Sequence, residues 1–219
     1  MTLTVAMPFL DCALAFSDQR RSGVITGEFQ GNFRKLEVFG ARGLLMVGGL
    51  SDITAAVVRK LRERALADPD VLSLARLAQE IGAVEYSSMI ARMIGPMKRA
   101  EFMLAGFDSH GRPIVVHVGL HDESFTVYTN EMALSGATDL IGPCRHVNEV
   151  LSRIGDVYVD QLAFEVIDRA AQNEPRAIGL PTDVALITRS GIRCKVVATR
   201  PAPDPDMRIR HVGNNFAFG

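Results

Sequence analysis

The amino-acid sequence predicts an α+β fold of four layers, an αββα sandwich with two antiparallel sheets between two helical layers. Three observations lead there. Short β-compatible runs come first, then two consecutive helical segments, then strands, a second helical pair, and strands again. No single strand alternates with a single helix, which disfavours a doubly wound parallel sheet. Two sheets packed face to face, each covered outside by a helical pair, would bury every apolar stripe described below.

The opening runs Leu3 to Met7 and Ala13 to Ser17 flank Pro8, Phe9, Leu10 and Asp11, and so read as a hairpin centred near Leu10. Paired residue numbers in an antiparallel ladder sum to a constant, so that centre sets Thr4 opposite Phe16 and Thr2 opposite Asp18. Further strands are expected over Val24 to Phe29, Lys35 to Phe39 and Leu44 to Val47, with turns at Gly31 and Gly40 to Gly43 and an end at Gly48 and Gly49. Ile53, Val57 and Leu61 recur at helical spacing among Arg59, Lys60, Arg62 and Arg64, with Ser51 or Asp52 as cap. Asp68 before Pro69 reads as the N-cap of a second helix carrying Val71, Leu74, Ala78 and Ile81 and stopping by Gly95 and Pro96.

Phe102 to Phe107 and Pro113 to Gly119 flank a polar turn from Asp108 to Arg112, and Ser124 to Thr129 adds a strand. After Pro143, Arg145 to Ile154 is helical in composition, and Val159, Leu162, Ala163, Val166, Ile167 and Ala170 form an apolar stripe. Asp183 to Thr188 and Ile192 to Ala198 enclose Arg189, Ser190 and Gly191 as a last hairpin. One domain is expected over residues 1–199, with a proline-rich, irregular tail over 200–219.

Composition narrows the function. With 219 residues, 47% hydrophobic and 22% charged, and a net charge of -1, the chain is an ordinary globular protein, not a nucleic-acid binder. Cys12, Cys144 and Cys194 are odd in number and far apart, so no disulfide framework or cysteine-based zinc site is expected, and a reducing cytoplasm fits. No basic region precedes an apolar run at the start, and stretches such as Leu44 to Leu50 fall short of the ~20 residues that span a bilayer. A membrane role is not expected. Thr2 is small enough for Met1 to be a good candidate for removal by methionine aminopeptidase.

Removal would matter chemically. A threonine hydroxyl is a poor nucleophile until a base takes its proton, and an N-terminal threonine carries that base in its own α-amine. With a reference pKa of about 7.7 to 8.0, the amine is partly neutral near neutral pH, and a neighbouring ammonium lowers it further. Lys35 is the candidate ammonium, and Asp18 the carboxylate that would hold it in place.

Thr2, the stretch Asp18-Gln19-Arg20 with Gly23, Lys35 in Phe33-Arg34-Lys35, and Gly48-Gly49-Leu50-Ser51-Asp52 together resemble the proteasome β-subunit pattern of N-terminal nucleophile hydrolases. The short Met-Thr start is similar to the bacterial HslV peptidase and to Anbu proteins. The resemblance implies Thr2 as nucleophile and amine base, Asp18 and Lys35 as its electrostatic setting, and Gly48 as a backbone oxyanion donor. It further implies Ser135 as support for the amine, Met46 as a wall of an apolar specificity pocket, and no cofactor.

The family also has an Asp, two residues, Ser and Gly ahead of the last strands. The nearest stretch here, Asn173 to Gly179, has no Asp and Ser at that spacing. Either a substitute such as Glu174 serves, or the amine network is incomplete. The expected function is a threonine-type endopeptidase working in a self-compartmentalising homo-oligomer, on peptides or unfolded proteins, with an ATP-dependent unfoldase as a possible partner. Two rival readings are a structural ring subunit without catalysis and a hydrolase of a small amide. His117, His121 and Asp122 need not share a face and are not expected to bind metal, Met89, Met93 and Met97 read as packing, and no phosphate loop is present.

Overall fold

The computed structural model describes residues 2–22, 29–49, 51–91, 99–136, 141–152, 155–211 and 217–218. Strands β1 (Thr4–Pro8), β2 (Cys12–Asp18), β3 (Arg20–Ser22), β4 (Phe29–Asn32), β5 (Leu36–Phe39) and β6 (Gly43–Gly49) lead into helices α1 (Ser51–Arg64) and α2 (Val71–Ile90). Then come β7 (Ala100–Phe107), β8 (Pro113–Gly119), β9 (Phe125–Tyr128), β10 (Glu131–Ser135), α3 (Ile141–Leu151), β11 (Gly155–Tyr158) and α4 (Val159–Asn173). The chain closes with β12 (Thr182–Thr188), β13 (Gly191–Val197), a 3₁₀ turn at Pro205–Met207, β14 (Arg208–His211) and β15 (Ala217–Phe218).

A six-stranded sheet has the order β13-β12-β2-β1-β10-β15, and a five-stranded sheet the order β5-β6-β7-β8-β9. Every pair in them is antiparallel except β10 with β15. Three apolar layers follow from the alternation of side chains along the strands. Ala6, Ala15, Met46, Met103, Ala105 and Ala133 meet in the seam between the sheets. Leu3, Val5, Phe16, Val147, Val166 and Ile167 fill the space beneath α3 and α4, and Leu45, Phe102, Leu104, Val57, Leu61 and Ala78 that beneath α1 and α2. Each large side chain so buried contributes about 1.5–3 kcal/mol. The αββα sandwich is therefore present.

Several local expectations change. The first hairpin pairs Thr4 with Ser17 and Val5 with Phe16, so its numbers sum to 21 and not to 20. The turn Pro8 to Asp11 closes one residue later than its centre at Leu10 implies, with Phe9 N–H donating to the Cys12 carbonyl at 2.7 Å. The shift moves Leu3, not Thr2, opposite Asp18. Asp70, not Asp68, caps α2, accepting from the Ser73 N–H at 3.1 Å, while Asp68 instead accepts from the Ala41 N–H at 2.8 Å. Helix α3 starts at Ile141, ahead of Pro143, because the first turn needs no donor from a proline.

The tail is not simply irregular. Its β14 pairs with β11, a strand too short and polar to read from the sequence, and Met207 and Ile209 enter the core beneath α3 and α4. The expected strand Val24 to Phe29 lies almost wholly outside the described residues, as do Gly95, Pro96, Met93 and Met97. Met89 packs at the edge of the α1/α2 layer.

Candidate active site

Thr2 and Thr4 share the seam-facing side of the six-stranded sheet, because Leu3 and Val5 between and beyond them belong to the layer under the helices. Thr2 is buried, at 9% exposure. Its main chain is held on two sides. The next amide, the Leu3 N–H, donates to Asp18 Oδ1 at 2.7 Å. The Thr2 carbonyl oxygen lies against Gly136, where a Cβ would fall on it, well inside contact distance. Gly136 sits at φ +95°, a backbone that side chains other than hydrogen rarely tolerate.

Asp18 ends β2 with its carboxylate fully buried. Besides the Leu3 N–H it accepts from the Arg20 N–H at 3.1 Å and from Lys35 Nζ at 3.2 Å. Lys35, at 4% exposure, also donates from Nζ to the Arg20 carbonyl at 2.9 Å. Burial drives the Asp18 carboxyl up and the Lys35 ammonium down, while their mutual attraction pulls each the other way. Lys35 is thus an ammonium with a weakened hold on its proton, next to the chain segment that carries Thr2.

Lys35 is placed by a residue that sequence reading passed over. Asp183 at the start of β12 accepts the Lys35 N–H at 3.0 Å on Oδ2 and the Gln19 side-chain amide at 2.7 Å on Oδ1. Its signal was a carboxylate opening a run that is otherwise apolar. The Lys35 carbonyl in turn accepts the Val47 N–H at 3.0 Å, so Lys35 bridges the two sheets through its main chain.

That last bond orients the end of β6. Amide directions alternate along a strand, so with the Val47 N–H facing the Lys35 carbonyl, the Gly48 N–H faces β7. Strand β5 begins only at Leu36, so the strand has no partner drawn up to Gly49 on that edge. Gly49 has φ +85°, and a Cβ there would fall on the Arg99 carbonyl. Gly48, the expected oxyanion donor, thus lies in the sheet ladder opposite Glu101, and Gly49 ends the strand in a left-handed backbone.

Met46 likewise differs from expectation. It points into the seam, wholly buried, because it has the same parity as Leu44 on β6. Its neighbour Val47 points the other way and lines a cavity of about 510 Å³ between the five-stranded sheet and α1. Phe33, Thr54, Ala55 and Val58 give that cavity apolar walls, and Arg34, Glu37, Arg59, Arg62 and Glu63 bring charge to it. Arg62 pairs with Glu37, and Arg59 with Glu63 at 3.6 Å.

Ser135, on β10, is the cross-strand partner of Thr4 and faces the same seam. Its hydroxyl donates to Glu101 Oε1. Glu101 lies opposite Gly48 on β7, and a Cβ on Gly48 would come within 3.1 Å of its Cγ. His117 Nε2 stands 3.3 Å from Glu101 Oε2 and Arg99 Nε 3.9 Å from it. Burial works to raise the Glu101 carboxyl, but the hydrogen bonds from His117 and Ser135 and the Arg99 charge outweigh it and hold the group below the usual carboxylate range. In the sequence, His117 stands out only as a metal-ligand candidate beside His121 and Asp122. His121 instead stands by Asp122 at 3.5 Å, and no group of three metal-binding side chains forms among the described residues. Glu174 caps the C-terminal end of α4, its carbonyl accepting from the Ala177 and Ile178 amides.

Two facing antiparallel sheets between helical pairs, with Thr2 on the seam side of the six-stranded sheet, form a four-layer proteasome-like sandwich. Solved structures of Anbu proteins share it. The helical assembly of the Anbu complex from Pseudomonas aeruginosa superposes with TM-score 0.71 at 18% identity, over 91% of this chain and 88% of that one. Anbu from Yersinia bercovieri, described as an ancestral β-subunit, gives 0.67 at 20% identity, and a mutant Anbu from Hyphomicrobium sp. strain MC1 gives 0.68 at 17%, both over 91% of this chain and 88% of theirs. No protein-family model matches the sequence, and no curated protein matches it either. The chain has the Anbu fold.

Proposed function

We propose that this chain is a threonine-type endopeptidase subunit that cuts peptide bonds through an acyl-enzyme on Thr2 after Met1 is removed. The observation that carries the proposal is that the buried Asp18–Lys35 pair holds the Leu3 N–H while Gly136 backs the Thr2 carbonyl, so that three separate stretches of sequence meet on the Thr2–Leu3 segment. In the reaction, the α-amine of Thr2 takes the proton from Oγ as Oγ attacks the peptide carbonyl carbon. Lys35 disfavours protonation of that amine beforehand. The oxygen of the tetrahedral intermediate takes its hydrogen bond from the Gly49 N–H, in place of the Gly48 N–H that the motif alone proposed. The α-ammonium then gives its proton to the departing amine, and water cleaves the ester to restore Thr2.

The cavity beside Val47 lies one ladder bond from Lys35 and fits the side chain ahead of the cut bond, with apolar walls that favour an apolar residue. The helical assembly named for the Pseudomonas protein supports a self-associating subunit, in which enclosure of the sites restricts access to peptides and unfolded chains. A soluble, cytoplasmic setting fits the reading. Among the described residues no helix is long and apolar enough to cross a membrane. A partner unfoldase is a further part of the proposal. A structural subunit without catalysis is the second reading, favoured by the stretch Asn173 to Gly179, which has Pro175 and Ile178 at the positions of the supporting Asp and Ser.

Intact-mass measurement of the purified protein, before and after a peptide electrophile, tests the proposal together with fluorogenic peptides that vary only ahead of the cut. The expected result is loss of Met1, one adduct per chain, preference for apolar peptides, and loss of adduct and cleavage in Thr2→Ala. A processed chain without adduct or cleavage establishes the structural reading instead, and a preference for acidic peptides removes the cavity assignment.

A further inference from the structure

Glu101 has no part in the reaction set out above, yet it is a carboxylate at 4% exposure in the seam between the sheets. Holding such a group ionised away from water costs several kcal/mol unless hydrogen bonds replace its hydration. His117 and Arg99, which stand by it, belong to its own sheet and its own edge. Ser135 is different. It reaches Glu101 from the opposite sheet, on the strand that runs beside β1.

A serine hydroxyl has one proton and two acceptor lone pairs. With the proton given to Glu101, Ser135 has only acceptor capacity left, so any further partner must donate to it. Ser135 pairs with Thr4, Thr2 stands two residues away on the same face, and the next residue after Ser135 is the Gly136 that backs the Thr2 carbonyl. A processed Thr2 brings a donor to this place, its α-amine. The order hydroxyl, carboxylate, imidazole is not that of a serine nucleophile, whose proton goes to the imidazole.

We propose that Glu101 is a positioning residue for Thr2 and acts through Ser135: by taking the serine proton it makes Ser135 an obligate acceptor for the α-amine, and so turns the amine lone pair toward the Thr2 hydroxyl. The proposal rests on the reading of Thr2 as nucleophile. It gives the amine network the support that no Asp and Ser between Asn173 and Gly179 supply, and it does so from β7 instead of the segment before β12. The charged and titratable groups nearest the amine are then Asp18 and Lys35 on one side, and Glu101, Arg99 and the His117 imidazole on the other. Removing the Glu101 charge removes a group that favours the protonated amine, so the amine titrates at lower pH in its absence.

The test compares full-length wild type with Glu101→Gln, Glu101→Asp and Ser135→Ala, following the rate of adduct formation by a peptidyl β-lactone against pH. Glu101→Gln and Ser135→Ala are expected to lower the limiting rate about tenfold to hundredfold, the range usual when a hydrogen-bonded supporter of a reacting group is lost. Glu101→Gln also moves the midpoint of the profile to lower pH, and Glu101→Asp restores part of the rate. Profiles of wild type and Glu101→Gln that superpose in rate and midpoint overturn the proposal. Retention of Met1 removes the donor and overturns both this proposal and the reading of Thr2. If Met1 is removed but wild type forms no adduct, only the nucleophile reading fails. Competitive labelling of the α-amine against pH then decides the role of Glu101, a midpoint lower in Glu101→Gln supporting it and coincident midpoints overturning it. Ser135→Ala, which removes a single oxygen, serves where a change at Glu101 prevents folding.

Discussion

Gly136 and Thr2 form the tightest constraint at the scale of single residues. A side chain at Gly136 meets both an unfavourable φ and the Thr2 carbonyl, so Gly136→Ala is expected to cost about 1–3 kcal/mol of stability and to displace Thr2. Denaturant unfolding reads the first effect and loss of the Thr2 adduct the second, and a variant with wild-type stability and reactivity contradicts the geometry. Cys12 offers a check on burial itself. Desolvation, with the Asp11 charge and hydrogen bond adding to it, pushes its thiol up to about 12. Only the thiolate is nucleophilic, so at pH 8 roughly one molecule in ten thousand presents a reactive Cys12. Alkylation of the folded protein at pH 8 is expected to modify the exposed Cys194 well ahead of Cys12, with Cys12 reacting only as the pH approaches 12 or the chain unfolds. Peptide mapping distinguishes the two sites.

Among the elements, the seam is held by polar residues at strand ends that cross from one sheet to the other. Lys35 leaves the start of β5 to meet Asp18 at the end of β2, Asp183 leaves β12 to hold the Lys35 amide, and Ser135 leaves β10 to meet Glu101 on β7. Such ties demand completeness, because a buried charge that loses its partner has no water to turn to. Lys35→Met, which strands Asp18, is expected to cost about 3–5 kcal/mol, whereas Asp18→Asn combined with Lys35→Met should recover much of that loss while leaving the protein without peptidase activity. Unfolding of the two singles and the double measures the coupling. Additive losses would show that the pair is not coupled in the folded protein.

For the molecule as a whole, the sandwich places Thr2 on the seam side of the six-stranded sheet, and a cavity opens between the five-stranded sheet and α1. Exposed apolar side chains such as Val84 and Leu66 on the α1/α2 layer lie outside that site. A self-compartmentalising subunit is expected to sediment as a multiple of 23.8 kDa at micromolar concentration. A monomer throughout, with the site open to solvent, would favour the small-amide reading over a chambered peptidase. The same view explains the role of the tail. By pairing with β11 and inserting Met207 and Ile209, it closes the apolar layer beneath α3 and α4.

Much of this was legible in the residues themselves. The order of elements and the buried stripes Ile53/Val57/Leu61 and Val159/Leu162/Val166 need only periodicity and turn chemistry, both of which are local in the chain, whereas Thr2, Asp18 and Lys35 stand out through their resemblance to a family pattern. What the sequence could not decide was parity and partnership. A turn that closes one residue late moved Leu3 opposite Asp18, and a single step along β6 exchanged Met46 for Val47 in the cavity, because neighbouring residues of a strand face opposite ways. Glu101 and Asp183 read as ordinary carboxylates at the starts of apolar strands. Only the packing of one sheet on the other gave Glu101 its contact with Ser135 and Asp183 its contact with Lys35, since those partners lie 34 and 148 positions away and nothing in the local chain encodes that distance.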